Sequence, residues 1–277
     1  MRQFDTTITL NREVSPSWKI LGFAWPGGLP APEPGQFFTF RPRALEPGDS
    51  GLLRRPLAFA AFAEGNAYAL YQIRGTATRA LAAGEEGSSL DIIGALGNSF
   101  PPPLEEERPI LLGGGIGIGP ILFLHAFLAS PDSPAARSPE LFLGFRSAVF
   151  IPDFSALQQP CLRVLSESLS NSRIATDDGS KGYAGTVMGA LAAESAAQES
   201  QALKRAHFYG CGPEPMLAAL NAFAGTKASA AHVSVEQWMA CGVGACYGCV
   251  LPAAKGGYLR ACADGPIFAS GDIAWRR

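Results

Sequence analysis

The segment Pro109–Ala129 reads PILLGGGIGIGPILFLHAFLA. A short apolar run comes first, then a loop carrying Gly113, Gly114, Gly115, Gly117 and Gly119, then an apolar stretch of helical length. This order predicts a buried strand, a tight loop and a helix in succession. Pro120 suits the first helical turn, because its missing N–H would be unpaired there anyway. Glycines at such a junction let the backbone pass close to a pyrophosphate, and the helix start offers free amides at its positive dipole end. A glycine loop alone is weak evidence for nucleotide binding; the strand before it and the helix after it strengthen the reading.

The same alternation continues downstream. ELFLGF (140–145) predicts a strand, RVLSES (163–168) a further strand, Val187–Ala206 an alanine-rich helix, HFYGCG (207–212) a strand running into a loop, and Pro213–Ala224 a helix. Strands alternating with helices imply a doubly wound parallel α/β sheet over residues 108–228. A dinucleotide site of the simple dehydrogenase type places an acidic residue about twenty positions after the loop, and Asp132, in a proline-rich stretch, is a poor match to that pattern. Upstream, Thr6–Leu10, Trp18–Ala24, Gln36–Phe40, Leu57–Phe62, Ala67–Ile73 and Ser89–Ile93 read as short strands, most of them separated by glycine or proline, which predicts an antiparallel β-barrel over residues 1–102. PPPLEEERP (101–109) is a linker, with Glu105–Glu107 as its solvated face.

At the other end stands CGVGACYGC, followed after twelve intervening residues by Cys262 in YLRACADGPIF. Cys241, Cys246, Cys249 and Cys262 thus follow the C-x4-C-x2-C…C spacing of a plant-type [2Fe–2S] cluster. Gly242, Gly244 and Gly248 between them permit sharp turns that aim amides at sulfur. Structural zinc is the alternative, although it usually takes two paired knuckles and Cys262 has no cysteine beside it. Disulfides would need an oxidising compartment. Residues 233–277 are therefore expected to form a small iron–sulfur domain, and Cys161 and Cys211 to be ordinary buried thiols.

The sequence of 277 residues is 47 % apolar, with a net charge of −2. It has no uninterrupted apolar run long enough to span a bilayer, and its charge gives no reason to expect nucleic acid or an anionic membrane as partner. The chain opens without a signal segment, so a cytoplasmic location is expected. His125, His207 and His232 are read as structural, and no acid–base dyad is expected.

Several of these stretches resemble known families. GGGIGIGP and Cys211–Gly212–Pro213 are similar to the nucleotide loop and Cys-Gly-Pro turn of the ferredoxin–NAD(P) reductase superfamily, and LLRRPLAFA (52–60) and LYQIRGTAT (70–78) resemble its flavin motifs. Taken together with PGQFF, GALGNSF, LGFRS, TDDGSKGYAGTV, YGCGPEPML, SVEQWMACGVGACYGC and RACADGPIF, they make the chain similar almost end to end to the electron-transfer subunits of dihydroorotate dehydrogenase B. The hydrogenase and transhydrogenase subunits of the same architecture are the alternative, as a diaphorase or ferredoxin reductase. The resemblance implies FAD held by Arg55, Pro56, Leu57, Ala58, Leu70, Tyr71, Gln72, Ala77 and Thr78, with Ala58, Gln72 and Ala77 departing from the usual Ser, basic residue and Gly. Arg54, Arg74 or Arg79 would compensate for the lost groups. It implies NAD on the glycine loop up to Pro120, with Cys211 and Gly212 near the nicotinamide; Arg146 bears on the choice between NAD and NADP. It implies the cluster on the four cysteines, and an FMN-containing dihydroorotate dehydrogenase catalytic subunit as partner, two copies of each. Electrons would arrive one at a time through the cluster and leave from FAD as hydride to NAD+, a step in pyrimidine biosynthesis, so the cofactors carry the chemistry.

Overall fold

The computed structural model describes residues 2–41, 53–133, 138–196, 203–225 and 228–275. Leu52 of the expected flavin motif and residues 197–202 of the expected alanine-rich helix lie outside them.

The first block is a seven-stranded antiparallel sheet. Its strands are β1 (Arg2–Ser15), β2 (Trp18–Ala24), β3 (Phe37–Arg41), β4 (Arg55–Ala58), β5 (Ala61–Ala63), β6 (Asn66–Gln72) and β7 (Ser89–Leu96), with helix α1 (Thr76–Ala82) between β6 and β7. The order is β4–β3–β7–β1–β2–β6–β5, so β4 and β5, consecutive in the chain, stand at opposite edges. The expected single strand Leu57–Phe62 is in fact broken between them: Phe59 N–H donates to Gln36 O at 3.2 Å on one side, and Ala60 N–H to Tyr68 O at 2.7 Å on the other. Passing from one edge to the other in two residues curls the sheet into a half-barrel. Its interior is aromatic, with Phe23 and Phe38 at 4.9 Å and Phe38 and Phe59 at 5.0 Å between ring centres. Each such ring removed from water is worth about 1.5–3 kcal/mol.

The second sheet runs β11–β10–β9–β8–β12–β13–β16. Strands β8 (Arg108–Gly114), β9 (Glu140–Phe145), β10 (Arg173–Thr176), β11 (Tyr183–Ala184), β12 (Ala206–Cys211) and β13 (Ala230–Ser234) are parallel, and β16 (Ile267–Ala269) joins β13 antiparallel. Helices α2 (Ile118–Ala129) and α3 (Pro160–Ser170) pack with one face, and α4 (Val187–Ala196) and α5 (Glu214–Ala224) with the other. The sequence RVLSES, expected as a strand, lies inside α3. Leu162, Leu165 and Leu169 fall three and four residues apart and are buried, while Arg163, Val164 and Glu167 between them are exposed, so the helical period outweighs the short apolar run.

The linker also departs from expectation. Glu107 is buried rather than solvated: its carboxylate accepts from Leu104 N–H at 2.8 Å and lies 2.8 Å from His207 Nδ1. His207 Nε2 in turn meets His232 Nδ1 at 2.8 Å. Two histidines and a carboxylate thus tie the linker to the first turns of β12 and β13. The chain then leaves the second sheet at Ser234, forms the cysteine loop and the hairpin β14 (Val250–Pro252) and β15 (Tyr258–Arg260), and returns as β16. Asn98, after β7, clasps this returning segment from the barrel side, donating to Ile267 O at 2.8 Å and accepting from Ile267 N–H at 2.9 Å.

Candidate functional site

A cleft of about 220 Å³ opens where the three blocks meet. The barrel contributes Pro56, Leu57 and Ala58 from β4 and Leu70 from β6; the second sheet contributes Ile116, Gly117, Pro120 and Cys211; the segment leading to the cysteines contributes Ser234, Val235, Glu236, Gln237 and Met239. Because β4 is an edge strand, it presents N–H and C=O groups without a ladder partner on its outer side. Apolar walls beside an unpaired backbone edge fit a flat heteroaromatic ring with polar atoms along one margin, as an isoalloxazine has.

The loop and the Cys211 turn are in intimate contact. A Cβ on Gly117 would lie 2.5 Å from both C and O of Cys211 and 2.7 Å from N of Gly212, so only glycine fits. Cys211 ends β12 opposite Gly113 and Ser234 and is 3 % exposed. Burial raises its thiol well above the usual range, with the Glu236 carboxylate acting in the same direction. Burial also raises the Glu236 carboxyl, against the opposing charge of Arg74.

The other expected residues have the following surroundings. Tyr71 points into the barrel, fully buried, and its hydroxyl donates to Asn11 Oδ1 at 2.8 Å. Ala77 is buried in α1. Thr78 closes its own turn, its Oγ1 accepting from Arg74 N–H at 2.9 Å and Gly75 N–H at 3.0 Å. Gln72 Oε1 accepts from Arg74 Nε at 2.7 Å. Gly113 and Gly114 belong to the end of β8, and Gly119 packs toward Leu70 and Ala60. Arg55 is half-buried, its Nη1 donating to Leu53 O at 3.0 Å. Arg54 is not a compensating ligand: it grips Asp91 through two nitrogens at 2.8 and 2.9 Å. Beyond its family resemblance, the short run Ser234–Met239 carries no periodic signal in sequence that it walls a cleft.

The four cysteines converge on one lobe. The thiols come in pairs: Cys249 Sγ and Cys262 Sγ lie 3.2 Å apart, and Cys241 and Cys246 share a hydrogen bond. Two pairs of sulfur donors match what two adjacent irons require. Backbone amides already point at sulfur, Gly244 N–H to Cys262 at 3.1 Å, and Val243 and Cys246 N–H to Cys241 and Gly248 N–H to Cys246, each at 3.4 Å. Gly244 holds φ +82°, a left-handed conformation that turns this amide inward. Burial opposes ionisation at Cys241, but the amides of Val243 and Cys246 overcome it and bring the thiol down to about 6. Cys262 is pushed up to about 12 by burial and by its neighbour Cys249. The donor set therefore suits a cluster with thiolate ligands and amide second neighbours.

Comparison with known proteins agrees with this geometry. The iron–sulfur cluster binding domain of dihydroorotate dehydrogenase B matches residues 236–274. The dihydroorotate dehydrogenase B (NAD(+)) electron transfer subunit of Caldanaerobacter subterraneus subsp. tengcongensis is 33 % identical over 264 residues, 94 % of each chain. That of Geobacillus thermodenitrificans is 35 % identical over 251 residues, 87 % of this chain and 86 % of its own. Among solved structures, an NADH-dependent reduced ferredoxin–NADP oxidoreductase superposes with TM-score 0.77 at 22 % identity, over 98 % of this chain and 90 % of its own. Phthalate dioxygenase reductase gives 0.63 at 16 % identity, over 98 % and 96 %. These two share the fold, an antiparallel half-barrel followed by an α/β sheet. The end-to-end match to the curated subunits, together with the paired thiols and the three-walled cleft, places the chain in the family of dihydroorotate dehydrogenase B electron transfer subunits.

Proposed function

We propose that the chain takes electrons from an FMN-containing dihydroorotate dehydrogenase subunit, through [2Fe–2S] on Cys241, Cys246, Cys249 and Cys262 and FAD in the cleft, to NAD+ at the glycine loop. FAD supplies the conversion between electrons received singly and hydride given to nicotinamide. The protein's own part is positioning. The free edge of β4 orients the ring's polar margin, Arg55 reaches the diphosphate, and Leu57, Leu70 and Met239 keep water from the reacting face. Gly117 lets the nicotinamide end come down beside Cys211. Trp238, 91 % exposed, and Tyr247, 62 % exposed, stand on the cluster lobe where a partner would cover them. The working assembly is two copies of each subunit in the cytoplasm.

The observation that carries this reading is a cleft walled together by barrel, glycine loop and cluster segment. The test is anaerobic purification with flavin, iron and sulfide quantified, followed by assays of the chain alone and with its catalytic subunit. About one flavin and two irons per chain are expected, with NADH–dye turnover alone and dihydroorotate-dependent NAD+ reduction only with the partner. Dihydroorotate oxidation by the chain alone, or ferredoxin serving as the faster electron partner, would overturn it.

A further inference from the structure

Arg260 ends β15 two residues before Cys262, and its guanidinium touches three things at once. Nη1 donates to Gly244 O at 3.3 Å. Nε and Nη2 donate to the two oxygens of Asp264 at 3.1 and 2.7 Å, and Asp264 also accepts from Arg260 N–H at 2.8 Å. The plane of the guanidinium lies over the Tyr247 ring, 5.3 Å from its centre. Gly244 and Tyr247 stand on either side of Cys246, in the loop that bears three of the four thiols.

Tyr247 is the telling residue. Its φ is +55°, a conformation that side chains rarely adopt, and its ring is 62 % exposed, so burial does not hold it there. Its ring stacks on Arg260. Gly244 meets the same guanidinium: the residue whose carbonyl Arg260 holds is the one whose amide reaches Cys262 Sγ.

We propose that Arg260 is a positioning residue for the iron–sulfur centre, clamping the three-cysteine loop to the strand that delivers the fourth cysteine, with Asp264 as the strut that fixes its guanidinium. The proposal rests on the cluster reading above. Arginine is required because one planar fork must accept a bidentate carboxylate, donate to a carbonyl and stack on a ring; a lysine ammonium supplies the charge but not the shape. Loss of the clamp frees the Gly244 amide from Cys262, which makes the cluster harder to reduce and easier to strip.

The test uses the full chain, loaded with flavin and cluster, and the variants Arg260→Gln, Arg260→Lys and Asp264→Asn. Iron release to a chelator is followed by loss of visible circular dichroism, the reduced cluster is examined by electron paramagnetic resonance, and its potential is titrated. Both Arg260 variants are expected to release iron roughly tenfold faster, with a lower potential, an altered resonance line shape and unchanged flavin content. Asp264→Asn is expected to fall between them and the wild type, and it decides the matter if the Arg260 variants do not load. Release within about twofold of wild type in every variant that loads iron would overturn the clamp, as would an Arg260→Lys protein that matches wild type. A wild-type chain that binds no iron would instead sink the cluster reading, and the clamp with it.

Discussion

Replacing Gly117 by alanine is the sharpest probe of the cleft. Gly117 sits at φ −64°, where alanine is at ease, so the effect is purely steric. The new Cβ would meet backbone atoms of Cys211 at 2.5 Å where ordinary contact begins near 3.4 Å, and backbone cannot swing aside as a side chain can. The glycine loop and the Cys211 turn must therefore separate by about 0.9 Å, an overpacking that costs about 1–3 kcal/mol. A displacement near 1 Å between groups that position reactants lowers the rate by about 100-fold. Gly119→Ala, two residues on, is the internal control. Its Cβ would meet Leu70 and Ala60 at 3.4 and 3.5 Å, and in the first turn of α2 alanine should gain up to about 1 kcal/mol in helix propensity. Steady-state NADH–dye reduction on flavin-loaded protein is the assay. The expectation is a kcat/KM for NADH about two orders of magnitude lower for Gly117→Ala, with a melting point several degrees down and full flavin content, while Gly119→Ala stays within about threefold of wild type. Equal behaviour of the two variants would refute the claim that the contact between loop and turn sets the nicotinamide position.

Three further outcomes are expected. Chelating the iron should abolish electron delivery from the catalytic subunit yet leave NADH–dye turnover intact, since the cysteine lobe lies outside the glycine loop; anaerobic stopped-flow absorbance separates the two. Asp91→Ala should cost about 3 kcal/mol in urea unfolding by leaving Arg54, whose side chain is only 12 % exposed, without its counter-charge, and the double variant with Arg54→Met should recover most of it. Acidification should weaken the fold through the Glu107–His207–His232 network. Burial, then the neighbouring His207, brings His232 down to about 4, and burial lowers His207 as well. Groups with such depressed values bind more protons when unfolded, so their contribution is complete above about pH 6.5 and is lost as pH falls toward 4. Urea midpoints at pH 7 and pH 4.5 measure it, and His232→Gln should flatten the difference.

The sequence was most legible where chemistry constrains spacing. Four thiols round a di-iron core must be spaced in a particular way, so Cys241, Cys246, Cys249 and Cys262 stood out as one set, whereas Gly117, expected to make room for a pyrophosphate, packs against the backbone of the Cys211 turn. Side-chain direction was harder to read. Leu70 and Tyr71 are neighbours in one strand and both stood in the expected flavin set, yet the pleat sends Leu70 to the cleft and Tyr71 to the barrel core. RVLSES has the length of a strand but belongs to a helix whose third leucine lies just beyond it. Glu107 looked solvated among three glutamates because its partner is a hundred residues away in His207. Arg54 and Arg55 are indistinguishable in sequence, and only the position of Asp91 across the sheet assigns the first to structure.

The second sheet gives up the chain at Ser234 and takes it back at Ile267, on neighbouring strands, with Asn98 fastening the return from the barrel side. The iron-bearing lobe is thus a loop moored at both ends rather than a pendant on a tether. Redox centres mounted this way keep a constant separation, so the electron's jump between them needs no swinging arm and no search through solution.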